Sequence, residues 1–172
     1  MSPEDTLEIQ EKCNVIMNCA ASIDFNARLD QAIESNIKGS LRMMALAKSC
    51  RNLDIFTHVS TCYVNCNMSG LIREEIYETN ENPEELFERL SKMPLRELVS
   101  NTTEILGSYP NTYTFTKALC ERLIKRRRGD LPMTIVRPAI INTSYLEPFP
   151  GWLDSIAAAA AYFMFIGLGV VK

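Results

Sequence analysis

Glycine is sparse and scattered in this chain. The seven glycines of its 172 residues stand at positions 39, 70, 107, 129, 151, 167 and 169, and none forms a GxxGxxG run near the amino terminus. No glycine-rich turn is therefore encoded there to cradle a pyrophosphate at a helix start. Histidine is rarer still. With only His58, and with no CxxC pair among six cysteines, the spacing of a metal site is missing. Positive charge is not in excess: 18 Lys and Arg face 21 Asp and Glu, a net charge of -3 that gives no general attraction to nucleic acid or to an anionic surface. The acidic, polar stretch from Met1 to Lys12 has no apolar core of the kind a secretory signal requires. Cys13, Cys19, Cys50, Cys62, Cys66 and Cys120 sit in apolar patterns. They read as reduced, mostly buried thiols, which points to a cytosol-facing compartment.

What is present is an ordinary soluble composition, 47% hydrophobic and 23% charged, that fits one compact domain. Ser2-Pro3-Glu4-Asp5 has the form of a helix start, with a hydroxyl cap, an early proline and carboxylates against the positive end of the helix dipole. Asn14 to Cys19 is an apolar run followed by Ala20, Ala21 and Ser22, the pattern of a buried strand ending in a loop. A helix is expected from about Leu29 to Cys50, with Ile33, Ile37, Leu41 and Met44 on one face. Strands follow at 55–60 and at 133–136, and between them a helix runs from about Thr112 to Arg128, closed by Gly129. Alternating strands and helices predict a parallel sheet covered by helices, an α/β fold.

The stretch from about 66 to 108 is rich in Glu and Asn and carries helical patterns over Pro83–Met93 and Pro94–Leu106. It reads as a helical insertion near the strand ends. Ile156 to Val171 is uncharged and mainly apolar, yet shorter than the roughly 20 residues that cross a bilayer. A buried or interfacial helix is the expectation, and the domain is expected over 1–154 with this apolar segment, 155–172, as the start of a further region.

Chemistry enters with Tyr113-Thr114-Phe115-Thr116-Lys117, because residues four apart on a helix share a face. An ammonium beside a phenol favours the phenolate, which suits the phenol to proton transfer near neutrality. The spacing alone is weak, since 6 Tyr and the chain's lysines give such a pair by chance roughly a quarter of the time. A surface helix with an amphipathic Tyr and a solvated Lys is the plain alternative. Position favours chemistry: the pair opens a helix that follows a strand ending in Val59-Ser60-Thr61, and ligands of parallel sheets bind at that carboxyl end.

The runs His58-Val59-Ser60-Thr61-Cys62-Tyr63-Val64-Asn65, Tyr109 through Leu119, Arg137-Pro138-Ala139-Ile140-Ile141 and Glu147-Pro148-Phe149-Pro150-Gly151-Trp152 together resemble the fatty acyl-CoA reductases, extended short-chain dehydrogenases with a male-sterility-type NAD-binding domain. The resemblance covers about Val15 to Trp152. It implies a Rossmann-like doubly wound parallel sheet of which this chain holds the counterparts of strands 4, 5 and 6, without the glycine-rich strand and turn. A chain truncated in this way has a bare apolar edge at its first strand, which predicts marginal stability and self-association.

The resemblance also implies roles. Tyr113 would donate a proton to the substrate oxygen, Lys117 would assist it and bind the nicotinamide ribose, and Ser60 would hydrogen-bond the carbonyl, with Thr61 a second candidate. Asn36 would support the lysine through a helix irregularity and water, against an equal reading as a helix-surface Asn. Ala20 and Ala21 would let the cofactor approach the backbone, and Pro138 and Ile140 would pass alongside the nicotinamide. The implied reaction reduces a long-chain fatty acyl-CoA with NADPH, or NADH, to aldehyde and then alcohol, with no metal and no nucleic acid. Membrane association, at the endoplasmic reticulum or peroxisome, would come through the apolar carboxyl-terminal segment or a downstream region. The alternative to a reductase is a non-catalytic product that acts as an interaction module. Lys125-Arg126-Arg127-Arg128 reads as a solvated helix end rather than a site for coenzyme A phosphates, and His58 as a core histidine.

Overall fold

Ser2 starts the first helix, α1 (Pro3–Lys12), through a reciprocal cap: its Oγ accepts the Asp5 amide at 3.0 Å while the Asp5 carboxylate accepts the Ser2 amide at 3.2 Å. The computed structural model describes residues 1–153 and 158–171. It divides into two compact units, Met1–Arg137 and Pro138–Lys172.

The first unit is built on three parallel strands in the order β1 (Val15–Asn18), β2 (Ile55–Val59) and β3 (Met133–Val136). Register places Ile16 beside Phe56 and Phe56 beside Met133, then Asn18 beside His58 and His58 beside Ile135. That face is covered, and Ile16, Asn18, Phe56 and His58 are buried. Side chains alternate across a strand, so Val15, Met17 and Val136 fall on the opposite face, where Met17 is 67% exposed. The expected order of the last three strands is thus observed, with β1 at an edge.

The helix expected over 29–50 is continuous but not uniform. α2 (Leu29–Ala32) passes into a π-helical stretch, Ile33–Lys38, and then into α3 (Gly39–Ser49). The wide turn is closed by the Gly39 amide on the Glu34 carbonyl, while the Ser40 hydroxyl occupies the Asn36 carbonyl at 2.9 Å. Leu29, Ile33, Ile37, Met44 and Ala47 remain in the core.

The insertion contains α4 (Pro83–Lys92), α5 (Leu95–Ser100) and α6 (Thr102–Leu106). The single helix expected over Pro94–Leu106 is broken at Asn101, and the Thr102 hydroxyl donates to the carbonyls of Leu98 at 2.9 Å and Val99 at 3.0 Å, competing with the helical pattern there. α4 buries Leu90 in the core. The last strand-connecting helix, α7 (Thr112–Arg127), is buried almost continuously from Thr114 to Ile124. It ends where Gly129 takes a φ of +59°, a conformation that costs glycine little.

The basic run at the end of α7 is not simply solvated. Arg127 makes a forked contact with Glu84, Lys125 meets Glu78 at 2.9 Å, and Arg126 donates to the Asn82 side chain at 2.9 Å. These half-exposed pairs are each worth about 0–1 kcal/mol. Together they fasten the insertion to α7. The cysteines also differ from expectation: Cys19, Cys62 and Cys66 are exposed and only Cys120 is buried, because the first three lie on a strand end and in loops rather than on core faces.

In the second unit, a loop closes through the Ser144 amide on the Trp152 carbonyl and the Gly151 amide on the Ser144 carbonyl, both at 2.9 Å. α8 (Ala158–Gly167) follows. The expected helix start at Ile156 and Ala157 lies outside the described residues. Tyr162, Phe163, Leu168 and Val170 are exposed, and among the described residues no helix is long and apolar enough to cross a membrane.

Candidate active site

Asn111 sets the phase of α7, since its Oδ1 accepts the Thr114 amide at 2.9 Å and its own backbone is extended. From that cap, Tyr113, Lys117 and Glu121 recur every four residues and share a face. Lys117 is only 3% exposed. Its ammonium donates to the carbonyl of Val59, the last residue of β2, at 2.9 Å. Burial pushes its pKa down, against the opposing influence of Cys120, Glu121 and Cys19. The surface-helix alternative for this lysine is thereby excluded.

Ser60 and Thr61, left equivalent by the sequence, are in different situations. The Thr61 hydroxyl accepts the Tyr63 amide at 3.3 Å and caps a 3-10 turn at Cys62–Asn65. Ser60 donates its amide to the Val136 carbonyl at 2.7 Å, but its buried hydroxyl has no hydrogen-bond partner among the described residues. A buried hydroxyl without a partner costs about 1–3 kcal/mol. Tyr113 is half-buried, with its ring 5.4 Å from that of Phe25 and tilted by 34°.

Asn36 is no surface residue: it is 1% exposed, within the π-helical stretch. Its Oδ1 accepts the Ser22 amide at 2.8 Å, and its Nδ2 donates to the Ser22 carbonyl at 3.2 Å and to the Thr116 hydroxyl at 3.1 Å. Both amide protons are committed. The side chain therefore clamps the loop after β1 to the helix of Tyr113 and Lys117. Ala20, exposed, and Ala21, half-buried, immediately precede the clamped Ser22. Pro138 and Ile140 belong to the second unit, where Ile140 is 57% exposed.

Three supporting contacts escaped the sequence reading. The Thr116 hydroxyl donates to the Thr112 carbonyl at 2.7 Å while accepting from Asn36. Arg137 forms a forked pair with Glu121, at 2.9 Å to Oε1 and 2.6 Å to Oε2, and Glu121 is 1% exposed. His58, fully buried, has its Nδ1 3.2 Å from the Asn18 amide nitrogen and its Nε2 4.0 Å from Cys120 Sγ.

The male sterility protein family, whose model is an NAD-binding domain, matches residues 1–172. The chain belongs to this family. Among its curated relatives is fatty acyl-CoA reductase 1 of Homo sapiens, 36% identical over 172 residues that are 100% of this chain and 33% of that protein. The chain thus spans about a third of the length of the curated relatives it matches. Among solved structures, it is similar to a thiolation-reductase di-domain from an archaeal non-ribosomal peptide synthetase, with a TM-score of 0.57 and 18% identity over 96% of this chain and 31% of that one. It is also similar to the UDP-glucuronic acid 4-epimerase of Bacillus cereus, solved with NAD, with a TM-score of 0.53 and 18% identity over 80% of this chain and 36% of that one. These likenesses establish the Rossmann-like fold.

The single histidine of this family member provides a clean pH probe. Burial, and then the nearby Lys117 charge, push its pKa down to about 4, so His58 is neutral at pH 7. The unfolded chain takes up this proton near pH 6.5 and the folded chain only near 4. Its contribution to stability is therefore complete above pH 6.5 and is lost as pH falls toward 4. Urea unfolding at pH 7 and pH 5 is expected to differ by about 2 kcal/mol. His58→Gln is expected to flatten that difference.

Proposed function

We propose that this chain supplies the proton-transfer part of a fatty acyl-CoA reductase, with Tyr113 as proton donor, Lys117 as its partner and Ser60 as the hydrogen-bond donor to the substrate carbonyl. The observation that carries this reading is the Ser60 hydroxyl, buried and without a partner among the described residues, beside the strand end on which the Lys117 ammonium rests. Thr61 is the weaker candidate because its hydroxyl already caps a turn. The 36% identity to fatty acyl-CoA reductases, which reaches across the whole chain, supports the substrate class.

The nicotinamide cofactor supplies the hydride when bound, and NADPH is the proposed form. The residues present fit one edge of such a group: the Lys117 ammonium has three N–H bonds and uses one on Val59, enough to reach a ribose hydroxyl as well. Asn36 keeps the Ala20–Ser22 backbone in register with α7. The chain's own contribution is orientation, a hydrogen bond to developing negative charge and a proton at the Tyr113 hydroxyl. Reduction of a long-chain acyl-CoA to the aldehyde and then the alcohol is the proposed outcome. A role at the cytosolic side of an endoplasmic reticulum or peroxisomal membrane would rest on the exposed apolar side chains of the second unit.

The test is oxidation of NADPH in the presence of hexadecanoyl-CoA, comparing this chain with the same chain fused behind a glycine-rich strand, turn and helix. Turnover in the fusion is the expected result. A folded fusion that binds neither NADPH nor acyl-CoA would leave the chain as a non-catalytic interaction module.

A further inference from the structure

Beside Tyr113 the first unit contains an open cavity of about 270 Å³. Its walls come from three places that are distant in sequence: Phe25 and Leu29 before and in α2, Val99 and Leu106 from the insertion, and Pro110 ahead of α7. None of the lining residues is acidic, and the one basic residue, Arg28, is held by Asp30 at 3.0 and 2.8 Å. The Thr102 hydroxyl, also on this wall, is turned back onto the Leu98 and Val99 carbonyls. The polar groups are thus largely answered within the protein, and an apolar ligand loses little by entering.

The cavity is tied to the candidate chemistry by Phe25. Its ring forms part of the wall and also lies 5.4 Å from the Tyr113 ring, yet the residue is 56% exposed. Val99, across the insertion, is 44% exposed. Large apolar side chains left open at the mouth of a concave site gain most when a hydrocarbon covers them. The spacing between cavity and phenol is fixed as well, because the Thr112 hydroxyl donates to the Ala27 carbonyl at 2.9 Å and so pins the Phe25 loop to the start of α7.

We propose that this cavity takes the acyl chain of the thioester substrate, and that the insertion residues Val99 and Leu106 set the chain length accepted. The proposal rests on the reductase reading, since it needs a substrate whose carbonyl sits at Tyr113 and whose tail leads away past Phe25. The insertion is then a measuring wall as well as a structural extension.

The experiment is titration calorimetry of this chain with free coenzyme A and with octanoyl-, dodecanoyl- and hexadecanoyl-CoA, repeated for Val99→Trp and Val99→Ala. Val99 is exposed enough for both variants to fold, and circular dichroism verifies it. For the unaltered chain, affinity should rise about fourfold per added methylene until the cavity is full. Val99→Trp should move the plateau to a shorter chain, lowering hexadecanoyl-CoA affinity at least tenfold and octanoyl-CoA affinity by less than twofold, and Val99→Ala should not. Equal loss for every chain length, or none, overturns the proposal. The two readings fail separately. Acyl binding that responds to Val99 without any hydride transfer in the fused protein removes the reductase reading and leaves the cavity. NADPH oxidation whose chain-length profile ignores Val99→Trp removes the cavity and leaves the reductase.

Discussion

Tyr113→Phe, in a form of the protein that oxidises NADPH, is expected to lower kcat by about a hundred- to ten-thousandfold, the usual contribution of a positioned proton donor. The loss should fall on kcat rather than on KM, because the phenyl ring keeps its contact with Phe25 at the same 5.4 Å spacing and only the transferred proton is gone. Steady-state rates with hexadecanoyl-CoA measure this. A tenfold loss or less, with the protein folded, would mean that Tyr113 packs and does not donate. The face of α7 makes the stronger outcome the expected one: Lys117 lies one turn further on, buried, with its ammonium fixed at the end of β2.

Glu121→Ala is expected to destabilise the fold by about 3–5 kcal/mol, because it leaves the Arg137 guanidinium without its carboxylate in a site only 18% exposed. Urea unfolding with Glu121→Ala, and with Glu121→Leu combined with Arg137→Met, separates charge from packing. The double change should recover most of the loss, since an apolar pair costs less to bury than one unpaired ion. If Glu121→Ala alone costs under 1 kcal/mol, the pair is a surface contact in effect. The link matters for position as well as stability, as it joins the residue one turn beyond Lys117 to the end of β3, and Arg137 also donates to the Glu75 carbonyl in the insertion at 3.1 Å.

Where the sequence carried a local signal, the structure follows it closely. β3 occupies the four residues read as a strand, and α7 begins at Thr112 and ends one residue before the expected Arg128, because the stop at Gly129 is readable in the sequence. The parallel sheet was readable from the alternation of strands with helices, and the order of its three strands from the family resemblance. What depends on side chains meeting across the fold was not. Nothing in a 16-residue separation marks Glu121 and Arg137 as partners. Ser60 and Thr61 carry the same hydroxyl, and only the turn that follows shows which is engaged. The broken helix at Asn101 and the ion pairs of Lys125 to Arg127 with the insertion likewise come from tertiary contacts.

Apolar periodicity also hid the wide turn at Ile33–Lys38, since residues at spacings of three and four stay on one side whether or not one extra residue is accommodated between them. The turn takes up one residue more than an α turn does, so Leu29 and Ile33 before it and Met44 and Ala47 after it all stay in the core. Removing one residue from Ile33–Lys38 would let the stretch close in ordinary α form with those two faces roughly kept. What would be lost is the place of Asn36, which meets Ser22 and Thr116 together from within the wide turn. The extra residue therefore serves the clamp between the loop after β1 and α7 rather than the core.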